Sequence, residues 1–550
     1  LTTQKKSNYR VLKLTANIVF ATLLAIYFIA ILVLLLNTHQ VLEGDQFGIL
    51  FRNLSLFYFP LVFLLLIILF FVFQFFSEKK YPVGFLKPAS PVYFVSFILT
   101  LINLVYFFNY EYYKFFFPLP LRKIFLKILL VNILVVFIGI LYIFFHLRQK
   151  GVIIGFFLLL LVAVYQPLPA LLLNNFPLTT DTVIPLKKDI KRIQKKIHIV
   201  MMNSLSLNFL NTLQTEKTLL NFNHLLKNGV RGHIGTFKPN FDLALINSVL
   251  SGLEPSLFTH HSDLKYKFID LENRDFQLFP RYLFFRNLQI TRVVSFFTDP
   301  AYPVIDNLQK YYQFNNQKIF YLLKSENTPI YFQKSLKYND SFKQLQFYEL
   351  LNEESIKSKI LKNSFFSDEY VKDRMNQNIN QSDYSIINFP GLKYINRYFY
   401  HYIYPIYENI SPEKIKQYKW VIQHYYDYYD SIIGNLLSSI GENELLVVIS
   451  LYEYELLPIW RKILLEFLGK KDIYVFKDLD APGSVFFYEP SAVKKDYPLQ
   501  TISILDIFPT LLYYAELPIP REARGNVIRE MFTDDFILRN PINIESRSAY

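Results

Sequence analysis

Five long apolar runs fill the start of the chain, at about 12–36, 54–76, 91–109, 124–146 and 152–173. A bilayer core needs roughly 20 apolar residues per helix, and each run approaches or exceeds that length. One such run could be a buried helix of a soluble protein. Five in succession predict a transmembrane helical bundle over residues 1–175. The first run, "VLKLTANIVFATLLAIYFIAILVLLLN", has Lys13 at its edge. The fifth, "VIIGFFLLLLVAVYQPLPALLL", holds Pro167 and Pro169. Proline removes a backbone donor and crowds the preceding turn, so the outer end of that run is expected to kink.

Beyond residue 195 the apolar runs shorten and turn residues separate them. "KIHIVMM" opens as a strand and stops on polar residues. Residues 219–255 then predict a helix, a Gly turn, a strand, and a second helix that enters after Pro239 and ends at Gly252. Further strands are expected within 287–297, 383–395 and 483–490, and at "ELLVVIS" (444–450). One long helix is expected over about 413–440, and another within 501–520. Strands alternating with helices predict an α/β-domain at 196–550, with a mostly parallel central sheet and helices on both faces. The polar stretch at about 300–382 reads as an insertion beside that core.

Composition narrows the setting. The chain has 550 residues, 52% of them hydrophobic and 18% aromatic, with a mean hydropathy of +0.21. It has no cysteine, which excludes disulfides, thiolate catalysis and Cys-ligated zinc. The formal net charge is +13. Much of the excess flanks the apolar runs, so membrane and not nucleic acid is the expected partner. Lys5, Lys6 and Arg10, then Lys79, Lys80 and Lys87, then Arg148 and Lys150 fall on one side of a five-span bundle. The loop at 38–53 has only Arg52, beside Glu43 and Asp45. Basic loops stay cytoplasmic, so a cytoplasmic N-terminus in a bacterial inner membrane is expected, with residues 1–10 as a basic tail and not a cleavable signal. Five crossings then place the later domain in the periplasm or outside the cell. Residues 176–195 form a basic juxtamembrane linker; "LKKDIKRIQKKIH" (186–198) reads as a solvated stalk, with contact to anionic headgroups as the alternative.

The later segments resemble the type I phosphodiesterase/nucleotide pyrophosphatase branch of the alkaline phosphatase superfamily. The likeness runs from about 195 to 545. "LLNFNHLLKNGVRG" through "SVLSGLEP" resembles the family's first helix, turn and nucleophile helix, which usually ends T-G-x-x-P. "NFPGLKYINRYF" resembles a segment with the pattern G-x-D-x-x-x-H-x-F. "VVIS" resembles the strand leading into S-D-H-G, and "ILDIFPTLLYYAELPIP" the D-I-x-P-T-x-L segment. The resemblance implies two metal ions at the carboxyl ends of the strands, held by Asp and His, and a Ser or Thr that attacks phosphorus. Two cations clamp the phosphoryl oxygens and activate the hydroxyl.

Residue by residue, those positions carry other chemistry. The first-strand Asp falls on Asn203 and the nucleophile on Asp242. The second Asp falls on Lys393 and its His partner on Arg397. The Asp-His pair falls on Leu451 and Tyr452, and a late His falls near Leu479 or Asp480. Lysine, arginine and leucine are not zinc ligands. A degenerate, cofactor-free site is therefore expected, plugged by a Lys393–Asp242–Arg397 ion cluster. Glu453 and Glu455 could form an acid/base pair, but a solvent-facing rim is expected. His260 and His261 are expected in a surface turn, and His401 and His424 as packing or solvent histidines.

Three functions stay open on this reading. The first is a catalytically inactive, phosphodiesterase-like membrane protein that serves as a structural or interaction subunit of a cell-envelope complex. The second is an active envelope phosphodiesterase or phospho-headgroup transferase with a non-standard site. The third is binding of an anionic lipid or glycan headgroup by Asp242, Lys393 and Arg397.

Overall fold

The computed structural model describes residues 2–37, 42, 44–78, 91–144, 150–167, 193–214, 219–258, 264–276, 294–298, 304, 306–314, 317–323, 355–403, 410–467, 473–477 and 482–544. The chain divides into two compact units. One comprises Leu1–Asp181 and Ser256–Tyr302; the other comprises Thr182–Pro255 and Pro303–Tyr550.

The first unit holds the apolar helices α1 (Thr2–Leu35), α2 (Gly44–Glu78), α3 (Pro91–Tyr113), α4 (Leu119–Phe144) and α5 (Lys150–Tyr165). Among the described residues, four helical spans are long and apolar enough to cross a membrane: Val11–Leu35, Gly44–Val72, Pro91–Phe116 and Leu119–Ile143. Five were expected. The fifth run forms the shorter α5, which ends at Tyr165, just before Pro167. Sixteen helical residues rise only about 24 Å, and the remainder of that run lies outside the described residues. The spans are buried to different degrees. In the first, 78% of the apolar window is enclosed, against 17% in the second, so α1 is the central helix and α2 turns its apolar side chains outward. The Tyr106 hydroxyl donates to the Phe28 carbonyl at 2.7 Å, and Tyr27 donates to the Val164 carbonyl. These bonds satisfy polar groups where water is absent. An antiparallel pair of strands, Leu264–Phe268 with Val294–Thr298, also belongs to this unit. The turn after its first strand meets the start of α2. Asn53 Nδ2 donates to the Ile269 carbonyl at 2.8 Å, and Arg52 pairs with Asp270.

The second unit is built on an eight-stranded sheet. Its strands are β1 (Lys196–Met201), β2 (Val230–Gly235), β3 (Ile319–Leu322), β4 (Tyr384–Asn388), β5 (Glu444–Ser450), β6 (Gly483–Tyr488), β7 (Tyr497–Pro498) and β8 (Ile502–Ser503). The order is β7-β2-β6-β5-β1-β4-β3, with β8 also pairing β2. All pairings are parallel except those of β6 with β2 and β5. Side chains alternate faces along a strand, and the two cores follow that rule. Ile197, Ile199 and Met201 pack with Leu445, Val447 and Ile449 on one face. Val200 packs with Leu446 and Val448 on the other. The first face is covered by α7 (Asp242–Ser251) and α11 (Ile507–Tyr514). The second is covered by α6 (Leu220–Asn228), α8 (Ile356–Asn378), α9 (Gly391–Ile403) and α10 (Val421–Ser439).

Two expectations change in detail. The stretch at 300–382 supplies the edge strand β3 and the helix α8, whose Phe365, Phe366 and Val371 are buried in the second core. It is therefore not simply an addition beside the core. The long helix at 413–440 divides into Pro412–Tyr418 and α10. The break falls at Trp420, where ψ opens to −13°.

Candidate functional site

Parallel strands β1, β4 and β5 end at one edge of the sheet, the edge where ligands of open α/β sheets bind. After β1 the chain turns sharply through Asn203 and Ser204, the latter at φ 76°. After β5 it runs through Ser450, Leu451 and Tyr452. These exits are stitched together. Asn203 Oδ1 accepts from the Leu451 N–H at 3.1 Å, and the Ser204 N–H donates to the Tyr452 carbonyl at 3.1 Å. Ser450 Oγ donates to the same carbonyl at 3.1 Å. Asn203, Leu451 and Tyr452 are all buried. At the aligned positions, hydrogen bonds within the chain occupy the strand ends.

Beside them, Asp242 opens α7. A carboxylate in the first turn suits the positive end of a helix. Its Oδ1 accepts from Lys477 Nζ at 2.7 Å, and its Oδ2 pairs with Lys393, in the first turn of α9. About a quarter of each side chain is exposed. Burial pushes the Asp242 carboxyl up, but the Lys477 and Lys393 ammonium groups more than offset this and hold it below the usual carboxylate range. Burial in turn pulls Lys393 down, and the Asp242 charge more than restores it, above the ordinary lysine range. The Lys477 ammonium also lies 4.5 Å from the centroid of the Tyr452 ring, a cation–π contact. Asn240 Nδ2 donates to the Lys477 carbonyl at 2.6 Å and fixes that segment next to α7.

The structure thus brings Asp242 and Lys393 together, as well as Asn203 and Leu451, and places Tyr452 beside them. Arg397 departs from the expected cluster. It lies one turn after Lys393 on α9, exposed, with its guanidinium 5.6 Å from the Tyr398 ring. Among the described residues it forms no ion pair, and Lys477 is the second cation on Asp242. Sequence reading missed Lys477. It directly follows the two-residue strand Val475–Phe476, and no motif marks it.

Glu453 also departs from expectation. It is buried and not part of a solvent-facing rim, while Glu455 is half-buried. Strand alternation does not carry into the irregular backbone at 451–454, which turns Glu453 inward. Burial raises its carboxyl to about 7. His401 is buried and stacked on Tyr474 at 4.1 Å between centroids. His424 is half-buried, 3.6 Å from Asp427. Leu479, Asp480, His260 and His261 lie outside the described residues.

The donor set does not fit the two metal ions that the resemblance implies. The six of its positions that lie among the described residues supply one amide, one carboxylate held by two ammonium groups, two basic side chains, one leucine and one tyrosine. Among the described residues no group of three or more His, Cys, Asp or Glu converges.

No family model matches the chain, and no curated protein matches it. Among solved structures it is similar to murine ectonucleotide pyrophosphatase/phosphodiesterase 5, both alone and as an inactive variant in complex with AMP, and to the human protein of that name. Identity is 9–10%, and the match covers 62% of this chain and 100% of theirs, with a TM-score of 0.33. A likeness this distant assigns neither substrate nor chemistry.

Proposed function

We propose that this protein is a multi-pass membrane protein whose phosphodiesterase-like domain performs no phosphoryl transfer and serves as a structural or interaction subunit of a cell-envelope complex. The observation that carries this reading is the double lysine clamp on Asp242. Asp242 is the single carboxylate among the six aligned positions that the structure describes, and it falls where the resemblance puts the nucleophile. Carboxylates can attack phosphorus, but one whose two oxygens are held by ammonium groups is a poor nucleophile. The same two ammonium groups would repel a metal ion at that place. The placement of the turn after Phe268 at the start of α2 supports an odd number of crossings, because it puts chain from beyond α5 at the α1–α2 end of the bundle. With the basic N-terminal flank in the cytoplasm, the second unit is extracytoplasmic in this reading.

The test is metal content of the purified full chain together with turnover of a generic phosphodiester. Substoichiometric zinc and manganese, with no turnover that a chelator abolishes, is the expected result. Stoichiometric metal and chelator-sensitive hydrolysis would overturn the reading in favour of an active phosphodiesterase or headgroup transferase. Affinity capture from the native envelope should return a stable set of subunits.

One observation favours a second reading. Two lysines face one carboxylate, so the cluster keeps a net positive charge, and Arg397 is exposed one turn away. Such a patch suits an anionic lipid or glycan headgroup. Salt-sensitive binding to anionic vesicles, weakened by Arg397→Ala, would support it.

A further inference from the structure

Next to the clamp, a small pocket opens between the ends of β1 and β5 and the helix α9, with a volume of about 10 Å³, room for one group the size of a water or an ammonium head. The hydrogen bonding of its lining is one-sided. The amide donors are engaged: Asn396 Nδ2 with the Ser204 carbonyl at 2.7 Å, and the Ser206 N–H with the Tyr426 hydroxyl at 2.9 Å. The Tyr426 hydroxyl in turn lies 3.5 Å from the Ser204 carbonyl. Three oxygens are not engaged. Ser204 Oγ, Asn396 Oδ1 and Glu453 Oε1 are buried and make no hydrogen bond among the described residues. The residues that bear them are 1%, 4% and 8% exposed.

Unsatisfied buried polar atoms are costly, each on the order of 1–3 kcal/mol, and three around one pocket point to a guest. Asn396 Oδ1 can only accept, as can Glu453 Oε1 once ionised, while the Ser204 hydroxyl can do either, so the guest must bring donors. A water brings two; a primary ammonium brings three and a positive charge. The walls suit a cation as well. Phe209, Tyr400, Tyr426 and Tyr454 surround the pocket, and aromatic faces attract ammonium groups. Phe209 and Tyr426 hold each other edge-to-face at 4.8 Å between centroids. We propose that this pocket binds the primary ammonium group of a small amine, with Glu453, Asn396 and Ser204 as its three acceptors.

The charges around the pocket are compatible with this. Glu455 adds negative potential at Glu453. Lys393 and Arg397 act on Tyr454, and Asp242 neutralises Lys393. Because burial holds the Glu453 carboxyl near 7, against hydrogen bonds from the Ser206 side chain and the Leu207 backbone, capture of a cation requires that carboxyl to ionise. Affinity should therefore rise with pH through 7 and level off above it. The inference does not depend on the domain being inactive. Metal content and hydrolysis test that reading, and amine binding tests this one.

The experiment is thermal unfolding of the detergent-solubilised full chain, titrated with methylammonium chloride at pH 6, 7 and 8. Tetramethylammonium and potassium chloride serve as controls, since neither has an N–H. A saturable rise in the unfolding midpoint specific to methylammonium, larger at pH 8 than at pH 6 and lost in Glu453→Gln, is expected. Ser204→Ala removes a hydroxyl that makes no hydrogen bond among the described residues, so it should fold normally and bind roughly tenfold more weakly. Equal shifts with all three salts, or none, would overturn the proposal and leave the pocket to water. Repeating the titration in vesicles with and without phosphatidylethanolamine separates the sources. If that lipid abolishes the methylammonium effect, the natural guest is a lipid headgroup; if the effect persists, it is a free amine.

Discussion

Two carboxylates grip the first turn of α9, and they are held in opposite ways. Asp368, on α8, accepts from the Gly391 N–H at 2.9 Å and from the hydroxyls of Tyr425 and Tyr429 at 2.7 and 2.9 Å. It is fully buried, and its partners are neutral. Burial raises its carboxyl to about 7 even against those hydrogen bonds. Asp242 is partly exposed and bound by two cations, and its carboxyl falls below the ordinary range. Neutral donors do not fully offset the desolvation of a charge, whereas ammonium groups can. Asp368 therefore reads as a folding residue that orders α8, α9 and α10, and Asp242 as the anchor of two cations beside the strand ends.

The sharpest way to break this comparison is to remove Asp368. Asp368→Ala would strand two buried hydroxyls and one N–H and leave a void. A loss of roughly 3–5 kcal/mol is expected, seen as a large fall in the unfolding midpoint or failure to accumulate. Gly391→Ala should act through the same node, because a β-carbon there would run into Asp368 and Tyr425. Asp242→Ala should cost less, about 1–3 kcal/mol, since the lysines it abandons can reach water. If Asp242→Ala proved as severe as Asp368→Ala, the clamp would be part of the folding core and not an occupant of the strand ends.

The two carboxylates should also respond to pH with opposite signs. Asp242 has a folded-state pKa below its unfolded value near 3.8, so its contribution is present above about pH 4 and is lost as pH falls through the folded value. Asp368 has a folded-state pKa raised to about 7. The protonated form is the one the fold favours, so its contribution is full below about pH 4 and fades as pH rises to about 7. Asp306 and Glu453, also raised to about 7, share that sign, so each residue must be read as a difference from its own variant. Between pH 7 and pH 4 the wild type should gain on Asp368→Asn. Below pH 4 its lead over Asp242→Asn should shrink. Parallel profiles for the two variants would remove the distinction.

Sequence patterning revealed the scaffold better than the site. The apolar runs of β1 and β5 feed two cores by simple alternation, and Gly252 ends α7 in the left-handed region that suits glycine. The placement of Asn203, Asp242, Lys393, Leu451 and Tyr452 was legible because each lies at the end of a regular element. Lys477 was not, since it reaches Asp242 across 235 residues from a loop without periodicity. The inward turn of Glu453 was hidden for the same reason, because alternation says nothing about irregular backbone. α5 ends at Tyr165, just before Pro167; that proline was visible in the sequence, but the exact end of the helix was not.

The smallest expected effect separates the cluster expected from sequence from the one observed. Arg397 and Lys477 are both cations near the strand ends, but only Lys477 is bonded to Asp242. Arg397→Ala should change stability by no more than about 0.5 kcal/mol, the usual range for an exposed side chain, since among the described residues it forms no ion pair. Lys477→Ala should cost about 1–3 kcal/mol, because it withdraws one of two hydrogen bonds to a charged carboxylate and the cation over Tyr452. A double-mutant cycle makes the contrast quantitative. Lys477→Ala and Asp242→Ala should couple by at least 0.5 kcal/mol, the lower bound for residues in contact. Arg397→Ala and Asp242→Ala should be additive. Coupling of Asp242 to Arg397 instead would restore the expected trio and shift the positive patch, with any anion it holds, toward the exposed face of α9.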